Sequence, residues 1–353
     1  MGVDLGDLAN PRQLSFSEMN GKILAVDGNN TLYQFLSSIR QADGTPLMDS
    51  RGRVTGHLTG LFYRSIKWLE FGIKPVFVFD GKPPDLKAKT LDERRERKAE
   101  AKEKMEKALG EGRLEDARMY AQATSKLTPE MIGQAKSLLD AMGIPSIQAP
   151  SEGEAEAADL VKRNIAWASA SQDFDSILFG TPRLVRNLST SGRRKLPRKN
   201  EYVQVEPELI ELEQVLSASG LNWHQLVWIG LLVGTDFNNG VIGIGPKKAL
   251  KLVLGAHSFK EVISRLPDKI KEKIGKEENN EVDLNHWEAI EQFFLKPPVS
   301  GTSAIKSGKP EKGKIIKLLC DEFEFSAERV GRTLDGFEKQ QKEVGGQTKL
   351  GDW

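Results

Sequence analysis

Three short apolar runs, each closed by an acidic residue, constrain this chain more than any other feature of its sequence. Ile23-Leu24-Ala25-Val26 stops at Asp27, Val76-Phe77-Val78-Phe79 stops at Asp80, and the run from Ala166 to Ser171 reaches Asp173 two residues later. Short runs of this kind between turn signals read as strands buried on both faces, and helical patterns separate them. The alternation predicts an α/β fold with a mostly parallel central sheet flanked by helices. In such sheets the ligand crevice opens at the carboxyl ends of the strands, which is where these aspartates fall.

Length and composition set the remaining bounds. The 353 residues suffice for about two domains of ~150 residues, or for one α/β domain carrying insertions. They can bury a core without covalent staples. The single cysteine, Cys320, cannot close an internal disulfide, and His57, His224, His257 and His286 are too scattered for a zinc signature. A reduced, intracellular compartment is therefore expected. Lysine and arginine number 51 against 50 acidic residues, a net charge of +1, so any polyanion-binding surface has to be local. No segment approaches the ~20 apolar residues of a membrane helix, and no secretory leader is evident. The opening Met1-Gly2 lacks the later Ser or Thr of a myristoylation signal, since Gly6 stands there.

From Pro83 to about Gly112 the chain is dense in charge and lacks an apolar stripe. A long exposed helix from Leu86 to Lys107 would extend roughly 33 Å, with Glu93/Arg97, Glu100/Lys104 and Glu103/Lys107 as supporting pairs. A helix polar all round bridges solvent or covers something. Farther on come the apolar run Leu226 to Val233, a glycine-rich turn, a helix from Lys247 and a helical region near Lys314 to Lys342. Ser300 to Gly313 reads as a mobile loop and Glu343 to Trp353 as a tail.

Seven carboxylates fall at the ends of apolar runs or in glycine-containing loops: Asp27, Asp80, Glu152, Glu154, Asp173, Asp175 and Asp236. If they converge, cations must neutralise them, because like charges at short range raise one another's pKa. All-oxygen ligands select magnesium, with manganese as a substitute. Two ions about 3.5 to 4 Å apart would clamp the attacking and leaving oxygens of a phosphodiester displacement.

Each residue also has a plainer reading. Ser151-Glu152-Gly153-Glu154 fits a capping box with Ser151 as N-cap and Glu154 reaching back. Glu156 and Asp159 read as first-turn partners of the helix dipole. Asp173-Phe174-Asp175 puts two carboxylates on one side if extended, whereas a turn aims them independently, and a surface turn is the favoured reading in isolation. The Asp-x-Asp pair is also compatible with a haloacid-dehalogenase-type phosphatase. Asp236 could cap a turn.

Seven carboxylates outweigh two divalent ions, so an incoming phosphate needs further cations. Lys87 and Arg94, seven residues apart on the polar helix, lie on nearly one face and are the candidates, whereas Lys89, Arg95 and Lys98 are assigned to a solvated face. Between Arg183 and Lys199 lie seven basic residues, Arg193 and Arg194 among them, and no acidic one; the tract reads as a phosphate-binding surface or a solubilising hairpin. The segment from Val241 to Ala249 is more specific. Gly243 and Gly245 let the backbone approach a phosphate, Pro246 suits a first helical turn, and Lys247 and Lys248 add charge, which together describe a helix-hairpin-helix on a DNA backbone. On the helix after Asp27, Tyr33 and Arg40 sit beside an apolar face; Tyr33 is either a base-stacking residue or a core-edge tyrosine.

Met1-Gly2-Val3, Val26-Asp27-Gly28, Phe77 to Pro84, Ala149 to Ala155, Gln172 to Ser176 and Gly234-Thr235-Asp236 followed by Ile242 to Lys247 resemble, over essentially the whole chain, the flap endonucleases. These are structure-specific 5′ nucleases of replication and repair. The resemblance implies removal of 5′ flaps near their junction with duplex DNA, together with 5′-3′ exonuclease activity. It implies that all seven carboxylates surround two divalent ions and that Lys87 and Arg94 polarise the scissile phosphate, with Asp173 and Asp175 central to catalysis. Tyr33, Arg40, Arg64, Gly234, Gly243, Gly245, Lys247, Lys248, Arg193 and Arg194 become DNA contacts. The polar helix becomes an arch over the site, the hairpin also holds a potassium ion, and Gly2 is the mature N-terminus near the centre. Gln347, Leu350 and Trp353 match the family's peptide for the sliding clamp, proliferating cell nuclear antigen, without its second aromatic residue. The chain looks archaeal, hence cytoplasmic, and monomeric.

The organisation so implied is a single nuclease domain over 1–342, with halves of about 1–110 and 120–260, an arch at about 82–130, a helix-hairpin-helix at about 226–255, and a clamp-binding tail at 343–353. The expected mechanism is attack by an ion-bound water while the second ion stabilises the leaving 3′ oxygen. Two rivals belong to other classes: a small-molecule phosphatase and a noncatalytic scaffold joining DNA to the clamp.

Overall fold

The chain enters its sheet through β1 (Arg12–Gln13) and then forms the first apolar run as β2 (Ile23–Asp27), followed by α1 (Gly28–Ser38) and α2 (Gly56–Glu70). The second run is β3 (Lys74–Phe79), after which α3 (Ala88–Gly110), α4 (Pro129–Ala141), β4 (Ser146–Gln148) and α5 (Gly153–Lys162) follow. The third is β5 (Ala168–Ala170), then α6 (Asp175–Leu178) and β6 (Arg183–Arg186). A ribbon of β7 (Gly192–Lys195) and β8 (Tyr202–Val205) precedes β9 (Glu208–Glu211), α7 (Leu212–Ser219), α8 (Trp223–Val233), α9 (Pro246–Val253) and α10 (Phe259–Ser264). The chain closes with α11 (Leu284–Leu295), α12 (Lys312–Ile316) and α13 (Ala327–Thr348). This computed structural model describes residues 3, 5–41, 44–113, 116, 119–121, 124–195, 201–268, 270 and 284–348.

The sheet has seven strands in the order β1-β9-β6-β5-β2-β3-β4. β4, β3, β2, β5 and β6 are mutually parallel, and β9 joins antiparallel to both β6 and β1. The expected mostly parallel α/β sheet is the one found. The two-residue alternation of side chains decides what covers each face. Leu24, Val26, Phe77 and Phe79 enter one core with α2, α4, α12 and α13, whereas Ala25 and Val78 face Ala157, Leu160 and Val161 of α5. A further core forms around α8, whose run Leu226 to Leu232 is buried throughout, against Phe179, Trp287 and Phe294. Among the described residues no helix is long and apolar enough to cross a membrane.

Two segments depart from expectation. Of the stretch Ser300 to Gly313, residues 300–311 are irregular but tied down, and Lys312 and Gly313 already belong to α12: Ser300 donates through its N–H and Oγ to Glu156 (2.6 Å each), and the Gly308 N–H donates to the Gly143 carbonyl (2.8 Å). Where a tail is expected from Glu343, α13 continues to Thr348.

Candidate active site

The site grows from the carboxyl edge of β2, β3 and β5. Asp27 ends β2 and caps α1, its Oδ1 accepting from the Asn30 N–H at 3.0 Å. Asp80 follows β3, and its Oδ1 accepts from the Gly153 N–H at 2.7 Å. Glycine at position 153 permits this close approach, since a Cβ there would sit 2.9 Å from Asp80 Oδ1 and displace it. That glycine brings the first turn of α5, with Glu152 and Glu154, against the strand end. Asp173 lies in the bend after β5, and Asp175 opens α6 with its Oδ1 accepting from the Val3 N–H at 2.9 Å. Asp236 arrives from the turn after α8, where Gly234 adopts φ +107°.

Electrostatics tie these groups together. Burial first, then Asp80, Asp173 and Glu152, hold the Asp27 carboxyl far above its ordinary range. Burial, then Asp175, Asp27 and Asp173, do the same to Glu154. Burial with Asp236 and Asp173 pushes Asp175 up to about 8. Each of the seven carboxylates predicted from sequence therefore interacts as a like charge with at least two of the others. Among the described residues Lys87 is bonded to two of these carboxylates: its Nζ donates to Glu152 Oε2 at 2.7 Å and lies 3.2 Å from Asp236 Oδ2. Although burial opposes its charge, Glu152 and Asp236 hold its pKa above the ordinary lysine value.

Among the described residues no three acidic, histidine or cysteine side chains stand together as a ready metal-ligand group. The chemistry of the donors nevertheless suits a hard cation. They are oxygen-only, several are nearly buried (Asp27 7% and Asp175 3% exposed), and their ionisation is opposed by burial and like charge.

Several plainer readings are overturned. Ser151 does not cap α5: the N-cap is Glu152, without a side-chain cap bond, and Glu154 instead accepts from Ser176 Oγ at 3.2 Å. Glu156 does lie in the first turn of α5, but it is fully buried and bonded to Ser300, whereas Asp159 pairs with Arg163 at 3.0 Å. Asp173-Phe174-Asp175 is no surface turn, for Phe174 and Asp175 are both buried. Lys98 is not merely solvated: its Nζ lies 4.9 Å above the Tyr33 ring, and the Tyr33 hydroxyl donates to the Ser125 carbonyl at 2.8 Å. The basic tract divides. Arg183 and Arg186 belong to β6 and pack over Trp167 and Phe174, because strand pairing turns them onto the sheet.

Arg94 lies in α3, and Arg193 and Arg194 in β7, with side chains outside the described set. Arg40 donates to the Gly44 carbonyl and to Ser125 Oγ (2.9 and 2.7 Å), and Arg64 to the Ser191 carbonyl (2.9 Å). Gly245 is the N-cap of α9, Gly243 adopts φ +83°, Lys248 donates to the Gly243 carbonyl at 2.9 Å, and exposed Lys247 pairs with Asp7 at 3.1 Å. Gln347 falls in the last turn of α13, its side chain not described; Gly2, Leu350 and Trp353 lie outside the described residues. Sequence reasoning missed Asn30 and Val3, whose amides bond Asp27 and Asp175. Asn30 was findable in part, since an N-cap at Asp27 requires a backbone donor three residues on.

Comparison with known proteins shows what the whole chain is similar to. The XPG N-terminal domain matches residues 1–101 and the XPG I-region matches residues 143–236, which together contain all seven carboxylates. The chain is 49% identical over 349 residues to flap endonuclease 1 of Staphylothermus marinus, covering 97% of this chain and 96% of that protein. It is 50% identical over 354 residues to that of Thermococcus onnurineus, covering 100% and 99%. The fold is similar to flap endonuclease-1 from Methanococcus jannaschii, with a TM-score of 0.71 and 39% identity over 97% of this chain and 100% of that one. It is also similar to the catalytic core of Rad2 in complex with DNA substrate, with a TM-score of 0.66 and 25% identity over 94% and 97%.

Proposed function

The chain belongs to the flap endonuclease 1 family, and from that premise we propose that it hydrolyses DNA phosphodiesters at 5′-flap junctions by magnesium-dependent, two-ion catalysis, with 5′-3′ exonuclease activity besides. It is a structure-specific flap nuclease, hence a hydrolase. The observation that supports the mechanistic reading is the like-charge interaction that links seven carboxylates from separate parts of the chain, with Lys87 bonded to two of them.

Asp27, Asp80, Glu152, Glu154, Asp173, Asp175 and Asp236 are the residues that would hold two divalent cations. Such a pair, when bound, supplies positive charge to the attacking and leaving oxygens of an in-line displacement. The chain's own residues then have separable tasks. Lys87, bonded to Glu152 and Asp236 in the free protein, exchanges these partners for the scissile phosphate. Arg94 acts with it from α3. Val3 and Gly153 keep Asp175 and Asp80 turned inward through backbone donors. Tyr33, whose ring lies under Lys98 and whose hydroxyl bonds Ser125, is assigned to stack on the nucleotide base.

Duplex DNA is assigned to the hairpin between α8 and α9, through Gly243, Gly245, Lys247 and Lys248, with a potassium ion as an additional bridge. Arg40, Arg64, Arg193 and Arg194 are assigned to other parts of the backbone. Residues 82–130 act as the arch, and 343–353, through Gln347, Leu350 and Trp353, as the clamp-binding tail of an otherwise single nuclease domain over 1–342. The test is an end-labelled 5′-flap duplex incubated with and without magnesium, with product lengths read on a gel. Cleavage near the junction only with the metal is expected; flap binding without any product would favour the scaffold instead.

A further inference from the structure

One residue of α1 holds two carboxylates of the cluster at once. The Asn30 N–H donates to Asp27 Oδ1 at 3.0 Å, and its side-chain Nδ2 donates to Asp173 Oδ2 at 2.8 Å. A carboxylate only accepts, so the Asn30 amide has to be held with its nitrogen toward Asp173. Gln34, one helical turn on, does this: its Nε2 donates to Asn30 Oδ1 at 2.6 Å. The Ser189 hydroxyl in turn donates to Gln34 Oε1. Every donor in the series Ser189, Gln34, Asn30 therefore points toward Asp173, and turning either amide over would set oxygen against oxygen.

The outer end of this relay is anchored. Ser189 lies between β6 and β7, where Gln172 Nε2 donates to Asn187 Oδ1 at 2.9 Å and Arg64 to the Ser191 carbonyl at 2.9 Å. Its inner end meets a specific need. Asp173 sits in a bend outside any strand or helix, and Asp27, Glu154 and Asp175 all interact with it as like charges. Repulsion favours a rotamer swung away from the cluster. A neutral amide donor holds the carboxylate inward without adding a cation that would compete with a metal ion.

We propose that Asn30, oriented by Gln34 and Ser189, is a positioning residue that fixes Asp173, and Asp27 through the backbone, in the orientation that receives a divalent cation. The proposal rests on the reading of Asp173 as a metal ligand. Outer partners of metal ligands change metal affinity or activity by roughly 10- to 100-fold when removed.

The test uses the full chain with two changes at Gln34. Gln34→Glu leaves no donor for Asn30 Oδ1 and adds a negative charge that by itself would tighten cation binding, so a loss reports misorientation. Gln34→Met removes the donor without adding charge. Manganese binding without DNA is measured by calorimetry, and single-turnover flap cleavage by magnesium titration. Both variants are expected to bind manganese roughly 10-fold or more weakly and to need correspondingly more magnesium for half-maximal cleavage. DNA affinity should not change, and the rate should recover at high magnesium. Asn30→Leu moves the same way; should it fail to fold, the Gln34 pair carries the test. Manganese affinity and magnesium dependence unchanged in both Gln34 variants, while Asp173→Asn is inactive, overturns the positioning role alone. Full activity of Asp173→Asn overturns the ligand reading and the relay together.

Discussion

Replacing Lys87 by Met separates two effects that a simple loss of activity would blend. The ammonium bonds Glu152 at 2.7 Å and lies 3.2 Å from Asp236, with only 11% of its side chain exposed. Unit charges about 4 Å apart interact by about 4 kcal/mol at an effective dielectric of about 20. Removing one member of a buried pair costs about 3 to 5 kcal/mol, because its partners remain buried. The metal-free variant at pH 8 should thus be less stable by a few kcal/mol, and less so at lower pH as Glu152 and Asp80, both held above the ordinary carboxylate range, take up protons. Metal binding should move the other way. Lys87 occupies the carboxylates assigned to the cations, and although its flexible stem lets it swing aside, a residual repulsion of about 1.4 kcal/mol would mean ~10-fold tighter manganese binding in the variant. Cleavage should nonetheless fall by roughly 100- to 1,000-fold, the usual cost of losing a donor aimed at developing charge. Calorimetric manganese titration and single-turnover cleavage at saturating DNA and metal read the two effects. Weaker manganese binding with an undiminished rate would refute the reasoning, since Lys87 would then be supporting the metal site and taking no part in the chemistry.

Asp173→Asn should suppress cleavage while leaving flap affinity nearly intact, as read by gel assay and fluorescence anisotropy; wild-type turnover removes Asp173 from the site. Asp175 titrates at about 8 in the fold against 3.8 in a free side chain, so the native state holds its proton through that window and the metal-free protein loses stability as pH rises across it. Asp175→Asn should accordingly raise the metal-free unfolding midpoint at pH 8 and leave it unchanged near pH 4, and magnesium should stabilise only the unsubstituted protein. An equal shift at both pH values would show that the carboxylate's charge is not responsible. Arg94→Ala should slow single-turnover cleavage more than it weakens duplex binding; an unchanged rate would withdraw Arg94 from the chemistry.

Much of the fold was legible because strand burial and strand ends leave local marks. The apolar runs became β2, β3 and β5, the charged stretch became α3, and Pro246 opened α9 as its fixed φ favours. Roles that depended on neighbours distant in sequence were not legible. Ser151 to Glu154 satisfies the capping pattern on paper, yet Glu154 turns to Ser176 and the acidic cluster because the sheet delivers Asp175, Asp27 and Asp173 beside it. Arg183 and Arg186 read as part of one basic surface until pairing with β9 placed them on the sheet.

Seven acidic residues at strand ends and glycine turns, with a lysine after Asp80, were determined by the order of amino acids alone, and they fixed the chemical class of the site. Which of them share a space, that Lys87 joins Glu152 to Asp236, and that Asn30 spans Asp27 and Asp173 were decided only by the folded chain. The reason is physical: hydrophobic periodicity acts over a few residues and is written locally, whereas repulsion and hydrogen bonding among side chains as far apart as Asn30 and Asp173 exist only after the sheet has brought their strands together.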